Sequence, residues 1–348
     1  MSSSEQDASA APADVRVGVI GVGQMGADHV VRIRDRIKGA RVSVVTDYLR
    51  EKAEEIAGTV PGARVVDTPE ELIAADDVDA VLIASPGAFH RDQAIACIEV
   101  SKPVLCEKPL AMNPEDAYRV VEAEQASGGA YVSLGFMRRF DRDYAELKDA
   151  IDSGELGQIS VLNCKHRNAT TLPGFTDTMM VYDSAVHEID AIHYFLDEPI
   201  TAVQVVLPLP GPRADEGQHD PMLLLFRTAS GRIVTDELYV NTGSGYEVRT
   251  EALGSKGIAT IGQESGRITT HREGGQWGGA IPADFRPRFL DAYDAEVQAW
   301  IGAVREGTNV AARSAGVWDG YLGAAACAAA EKALTTDGFV PVDVRERP

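Results

Sequence analysis

From Val15 onward the chain alternates short runs of β-branched residues with stretches of helical period, and this alternation restricts the fold more than any other feature. RVGVIGVG leads into a helical segment ending near Lys38, RVSVVTD into one at about Glu51 to Ala57, and ARVV into PEELIAA. DAVLIAS then precedes AFHRDQAIACIE, PVLCEKP precedes PEDAYRVVEAEQAS, and AYVSLGF closes the series. Strands that are apolar throughout are covered on both faces, and helices between them make neighbouring strands parallel through right-handed crossovers. Residues 15–136 are therefore expected to form an α/β doubly wound parallel sheet.

Beyond Phe136 the rhythm changes. ISVLNCKHRN, TAVQVVLPL, PMLLLFRTASGRIVTDELYVN and YEVRTEALGSKGIATIG read as strands that follow one another directly. ASGR and GSKG carry the glycines that hairpin turns need for positive φ. Helical segments accompany the strands at about Arg142–Asp152, Met180–Leu196, Pro287–Arg305 and Val317–Thr335. Residues 137–348 thus read as an α+β unit with a mainly antiparallel sheet, and the small, polar residues 1–14 as a disordered tail.

Two units in 348 residues imply a cleft between them. The net charge of -20 opposes binding to nucleic acid or an anionic membrane, so the expected partners are small molecules and further copies of the chain. Cys97, Cys106, Cys164 and Cys327 form no C-x-x-C pair and read as reduced thiols of a cytoplasmic protein. The N-terminus lacks the basic and apolar regions of a signal peptide, and no apolar run approaches the roughly twenty residues of a membrane span.

The first strand ends in GVGQMG, which places Gly21, Gly23 and Gly26 in G-x-G-x-x-G spacing around Gln24 and Met25. The first glycine permits a tight turn, the second lets backbone approach a pyrophosphate, and the third lets helix pack on strand. Asp47 closes the next strand, where a carboxylate accepts hydrogen bonds from the adenosine ribose and repels a 2′-phosphate. NAD is the expected cofactor, with Tyr48 beside the ribose and Arg50 leaving some tolerance for NADP. Ser85, Pro86 and His90 follow the fourth strand at its carboxyl end, where the cofactor's ribose would lie, although His90 alone reads as a structural histidine. The fifth strand delivers Glu107 and Lys108 to the nicotinamide end of the cleft, where an ammonium can stabilise an alkoxide or lower the pKa of a histidine.

DSAVHEIDAIHYF offers a different constellation. Asp183 and His187 are four apart, so on an α-helix they stand one turn above each other, and the carboxylate can orient the imidazole. The segment alone is compatible with a core helix, a metal site or an acid–base centre. A metal is not expected, because His187 and His193 are six apart, on different helix faces, with no third ligand at good spacing. Glu188, Asp190 and His193 are read as structural, and Ile189, Ile192 and Phe195 as the face that packs on a sheet.

GVIGVGQMG, ASPGAFH, CEKPLA, GFMRRFD and DSAVHEID together resemble the Gfo/Idh/MocA oxidoreductases over about residues 15–340. LGFMRRFDRDY, CKHRN, DSAVHEIDAIHYF and RFLDAYDAEVQAW are most similar to the branch of that family that oxidises myo-inositol at its 2-hydroxyl. The resemblance implies a Rossmann domain followed by a domain whose large open sheet joins subunits into dimers or tetramers. It also implies a catalytic trio of Lys108, Asp183 and His187: His187 as general base, Asp183 as its orienting partner and Lys108 on the reacting oxygen. Arg138, Asp141, Asn168, Tyr246 and Tyr293 are the further candidates for contact with a polyol, together with the trio. Ser85 and Gly87 depart from the family's more usual Thr and Asn, and the turn-rich stretches 169–182 and 209–221 are where substrate choice would diverge. The alternatives are a dehydrogenase for scyllo-inositol or for a pyranose 1- or 3-hydroxyl, and a regulator that binds the dinucleotide without turnover.

Overall fold

The computed structural model describes residues 13–262, 270–272, 275–277 and 284–348. The tail expected at 1–14 lies outside the described residues except for Ala13 and Asp14. Strands β1 (Val15–Ile20), β2 (Ala40–Thr46), β3 (Arg64–Val65), β4 (Ala80–Ile83), β5 (Val104–Cys106) and β6 (Val132–Leu134) form a sheet ordered β3-β2-β1-β4-β5-β6. Every pairing in it is parallel. The crossovers are α1 (Gln24–Asp35), α2 (Arg50–Ala57), α3 (Pro69–Ala74), α4 (His90–Glu99) and α5 (Pro114–Ser127).

The sequence sets these elements locally. All four residues of β4, AVLI, are buried, as a central strand covered on both faces requires. Thr68 caps α3 by accepting from Glu71 N, and Asn113 caps α5 by accepting from Asp116 N, each with proline at the first helical position. Strand order reverses between β1 and β4, which opens a crevice at their carboxyl ends.

The second unit contains α6 (Arg142–Asp152), β7 (Ile159–Arg167), α7 (Asp177–Met179), α8 (Val186–Leu196), β8 (Ile200–Val206), β9 (Met222–Thr228), β10 (Ile233–Tyr239), β11 (Glu247–Gly254) and β12 (Ile258–Ile261). A small ladder of β13 (Thr270–Arg272) and β14 (Gly275–Trp277) precedes α9 (Phe285–Glu306), α10 (Val317–Ala333) and β15 (Val340–Pro341). The seven-stranded sheet is ordered β12-β11-β7-β10-β9-β8-β15. All its pairings are antiparallel except β7 with β10, which run parallel. ASGR and GSKG turn the β9–β10 and β11–β12 hairpins. Burial alternates along β10, with Val234, Asp236 and Leu238 facing inward.

The last helices return to the first sheet. Val297, Trp300 and Ile301 of α9 share a core with Val17, Val30 and Val42, and Leu134 of β6 bridges Ala315 just before α10. The chain beyond 284 therefore touches both sheets, because α10 also packs on β8 and β15 extends the edge of the second sheet. Among the described residues no helix is long and apolar enough to cross a membrane.

Candidate active site

The turn from β1 into α1 is tight at two glycines and open at the third. Gly21 has φ +84°, and a Cβ on Gly26 would stand 1.9 Å from the Gly21 carbonyl oxygen. A Cβ on Gly23 would meet nothing within 4 Å. Gly23 is the N-cap of α1, and no side chain caps that helix, so its first N–H groups remain available to an anion. Packed neighbours around one open glycine are what a bound pyrophosphate requires, so these residues fit a dinucleotide. Gln24 is exposed at the first turn and Met25 is half-buried.

Asp47 braces this loop. Its Oδ2 accepts from Val22 N at 2.8 Å and its Oδ1 from Leu49 N at 2.8 Å, which fixes the carboxylate beside the glycine turn. Tyr48 is fully exposed. Arg50 is tied to Glu54 at 2.8 Å and to Asp67, so two carboxylates already occupy the guanidinium that would otherwise greet a 2′-phosphate.

At the end of β4, Ser85 Oγ donates to Gln93 Oε1 at 2.7 Å and Pro86 is exposed. His90 is buried, with Nδ1 2.7 Å from the Pro109 carbonyl and Nε2 2.7 Å from the Ser85 carbonyl. Both ring nitrogens face backbone, so His90 clips the β4 and β5 loops together. Beyond β5, Glu107 is buried with Oε1 2.8 Å from His29 Nε2. Lys108 Nζ donates to the Asp183 carbonyl at 3.0 Å and lies 3.9 Å from Asp183 Oδ1.

The helix that carries Asp183 and His187 is not uniform. Met180–Ala185 is a π-helical turn that passes into α8 at Val186. Bonding from i to i+5 widens that turn, so residues four apart no longer stack. Asp183, with a 45% exposed side chain, turns toward Lys108, whereas His187 Nδ1 is buried with no hydrogen-bond partner. The expected orienting bond from Asp183 to His187 is therefore absent, and packing holds the ring: Phe136 stands edge-on at 6.1 Å between centroids and His166 lies tilted at 6.3 Å. Burial, then the nearby Arg138, Lys108 and His166, holds His187 well below the ordinary histidine value.

Beneath His187 lies a buried ionic cluster. Arg138 pairs with Glu188, and Glu188 Oε2 is 3.0 Å from His166 Nδ1. Burial pushes the Glu188 carboxyl up, but Arg138 and His166 outweigh it and bring it down to about 2. Arg138, a candidate for contact with substrate, is 2% exposed and committed to Glu188. Asp141, another candidate, caps α6 by accepting from Asp143 N and Tyr144 N, and it pairs with Arg288 at 2.6 Å.

Of the remaining candidates, Asn168 is half-buried, with its backbone bonded to Tyr239 and Thr242 and its side-chain amide without a hydrogen-bond partner among the described residues. Tyr246 packs edge-on to His166 at 5.8 Å, and burial pushes its phenol up to about 12. Tyr293 is 5% exposed, lies edge-on to His29 and has the Arg32 guanidinium 4.9 Å from its ring, so it belongs to the interface between α1 and α9. The assembled centre offers a neutral imidazole, an ammonium and an open carboxylate at the carboxyl end of a parallel sheet. Such a set can accept a proton from a hydroxyl and stabilise the oxygen left behind. Among the described residues no group of three or more His, Cys, Asp or Glu is arranged to hold a metal ion.

Residues 15–136 match the oxidoreductase family with NAD-binding Rossmann fold known as Gfo/Idh/MocA, and residues 144–260 match the C-terminal domain of the same family. The chain belongs to the Gfo/Idh/MocA family. It is 51% identical over 338 residues to inositol 2-dehydrogenase of Mycolicibacterium smegmatis, covering 95% of this chain and 96% of that one. It is 49% identical to inositol 2-dehydrogenase of Rhodococcus erythropolis, covering 96% and 97%. The structure superposes with a TM-score of 0.90 on myo-inositol dehydrogenase from Lactobacillus casei in complex with NAD(H) and myo-inositol, at 31% identity over 96% of this chain and 98% of that one. Scyllo-inositol dehydrogenase from the same organism, with NAD(H) and scyllo-inositol, gives a TM-score of 0.84 at 25% identity over 94% and 99%.

In this Gfo/Idh/MocA member two functional neighbours escape sequence reasoning. His29, three residues past Gly26, looks like any helix residue until Glu107 comes to meet it. His166 stands on an alternating strand whose inward face turns out to lie against Glu188 and His187. A histidine on the buried phase of a strand was the only available signal.

Proposed function

We propose that this Gfo/Idh/MocA oxidoreductase oxidises a ring hydroxyl of a cyclic polyol, myo-inositol to 2-keto-myo-inositol (scyllo-inosose), with NAD as acceptor. The observation that carries the reading is the meeting of Lys108 Nζ with Asp183, at 3.0 Å to its carbonyl and 3.9 Å to its carboxylate, one turn from the uncharged His187. Near-complete alignment with two inositol 2-dehydrogenases supports the substrate.

NAD supplies the hydride acceptor. His187 takes the hydroxyl proton at Nε2, since Nδ1 is enclosed. Lys108 Nζ donates to the same substrate oxygen and stabilises it as the proton leaves. Asp183, half exposed, accepts from a neighbouring hydroxyl, and the side-chain amide of Asn168 holds another. Asp47, with Arg50 committed to Glu54 and Asp67, favours NAD over NADP. The protein works in the cytoplasm, in inositol catabolism, as a homo-oligomer. Its contact is the outer face of the second sheet, where Val206 and Leu223, directly paired across β8 and β9, are 40% and 41% exposed.

A panel of myo-inositol, scyllo-inositol and aldopyranoses, each with NAD and with NADP, tests the reading through NADH or NADPH absorbance. Myo-inositol with NAD is expected to give the highest kcat/KM. A preference for scyllo-inositol, which the likeness to the scyllo-inositol enzyme would favour, moves the substrate assignment. Silence across the panel rejects the dehydrogenase reading.

A further inference from the structure

Glu107 immediately precedes Lys108, is buried, and receives its hydrogen bond from His29 of α1, the helix that follows the glycine turn. The protonation pattern follows from geometry. Arg32 Nη1 lies 3.0 Å from His29 Nδ1, and a guanidinium can only donate, so Nδ1 must accept. The proton of His29 therefore sits on Nε2, which donates to Glu107 Oε1 at 2.8 Å. Arg32 is itself anchored by Asp294 of α9 at 2.8 Å and Asp28 at 3.2 Å. His29 and Arg32 are each 1% exposed, so water does not compete for these bonds.

A carboxylate held by a neutral donor keeps its negative charge, whereas one held by Lys or Arg is cancelled. Other groups face Glu107 as well: Lys108 beside it, His90 from α4, and Tyr293 and Glu296 from α9. Burial pushes Glu107 up, yet the hydrogen bond from His29 and the positive charge of Lys108 hold it below the usual carboxylate value. Near the reacting end, Arg138 is paired with Glu188, and Lys108 is only partly offset by the half-exposed Asp183 carboxylate 3.9 Å away. An oxidised nicotinamide, itself a cation, would add to the positive field of Lys108.

We propose that His29 is a positioning residue that holds Glu107 as a buried anion at the end of β5, and that this anion makes the site favour the oxidised, cationic nicotinamide over the reduced, neutral one. The proposal rests on the dinucleotide-binding reading of the cleft. It assigns to a histidine of α1 a part in setting the redox preference of the bound cofactor.

The test measures Kd for NAD+ by calorimetry and for NADH by its fluorescence, in wild type, Glu107→Gln, His29→Phe and His29→Gln. Loss of a unit charge several ångströms away in a partly dry site is worth about tenfold in affinity. Glu107→Gln and His29→Phe are each expected to weaken NAD+ about tenfold while NADH changes less than about twofold, and His29→Gln, which keeps an N–H donor, is expected to stay near wild type. Equal weakening of both forms would assign His29 and Glu107 to structure alone and overturn the proposal, as would an unchanged ratio. If His29→Phe does not fold, Glu107→Gln decides by itself. If wild type binds neither form, the dinucleotide reading fails first and the proposal with it.

Discussion

At His187, burial and two fixed cations stand where an enzyme more often supplies a carboxylate partner. Arg138 and Lys108 both disfavour the imidazolium, so the ring is neutral and able to accept a proton well below the ordinary histidine pKa of 6.5. A general base acts in its deprotonated form, so activity falls only as pH drops through the depressed value. The acidic limb of kcat/KM against pH is therefore expected below 6.5; a limb at or above 6.5 would mean that a carboxylate supports the ring after all. His187→Ala is expected to cut kcat by about 10²–10⁴-fold, with NAD affinity preserved. Calorimetry on the variant separates lost chemistry from lost binding.

Among the elements, the glycine turn and the π-helical turn differ in how legible they are. The G-x-G-x-x-G spacing predicts which glycine needs what, and the structure quantifies it: a Cβ on Gly26 collides with backbone at 1.9 Å, whereas one on Gly23 meets only open space. Gly26→Ala is expected to cost at least ~2 kcal/mol of stability because backbone must move. Gly23→Ala is expected to fold with nearly unchanged Tm yet bind NAD at least about tenfold more weakly, since the methyl stands where pyrophosphate approaches. Paired melting and NAD titration would show it, and a Gly23→Ala protein that binds normally would move the pyrophosphate elsewhere. The turn at Met180–Ala185 has no such signature. Its sequence, MVYDSA, is ordinary helix, and only the demands of Lys108 on one side and the sheet on the other reveal why Asp183 and His187 diverge.

The molecule as a whole carries buried ionisable groups that give its stability a two-sided dependence on pH. His193 is buried with Nδ1 unpartnered, and burial lowers it to about 4. The unfolded chain takes up that proton near 6.5, so the stability from the neutral ring is present above 6.5 and is lost as pH falls toward 4. For His193 alone the loss is about 3 kcal/mol. Asp236 and Glu296 behave oppositely: both are buried without partners, and burial raises them well above ordinary carboxylates. Their contribution is complete below the unfolded carboxylate value and erodes as pH rises toward their folded values. Denaturant midpoints across pH are expected to show a shallower acid slope in His193→Phe and a gain at pH 7 in Glu296→Gln, each by about 1–3 kcal/mol. Unchanged slopes would mean that water reaches these groups.

By itself the sequence determined the parallel α/β unit, the mainly antiparallel sheet after it, and the glycine turn that closes β1. These follow from periodicity, spacing and turn chemistry, which are properties of neighbours in the chain. The tertiary structure alone decided which charges are free. Arg138 meets Glu188 fifty positions on, His29 meets Glu107 across seventy-eight, and Asp141 meets Arg288 across 147, and each pairing commits a side chain to a partner or fixes its charge. No local pattern encodes such pairs, because burial and electrostatic neutralisation arise only when distant segments pack against one another.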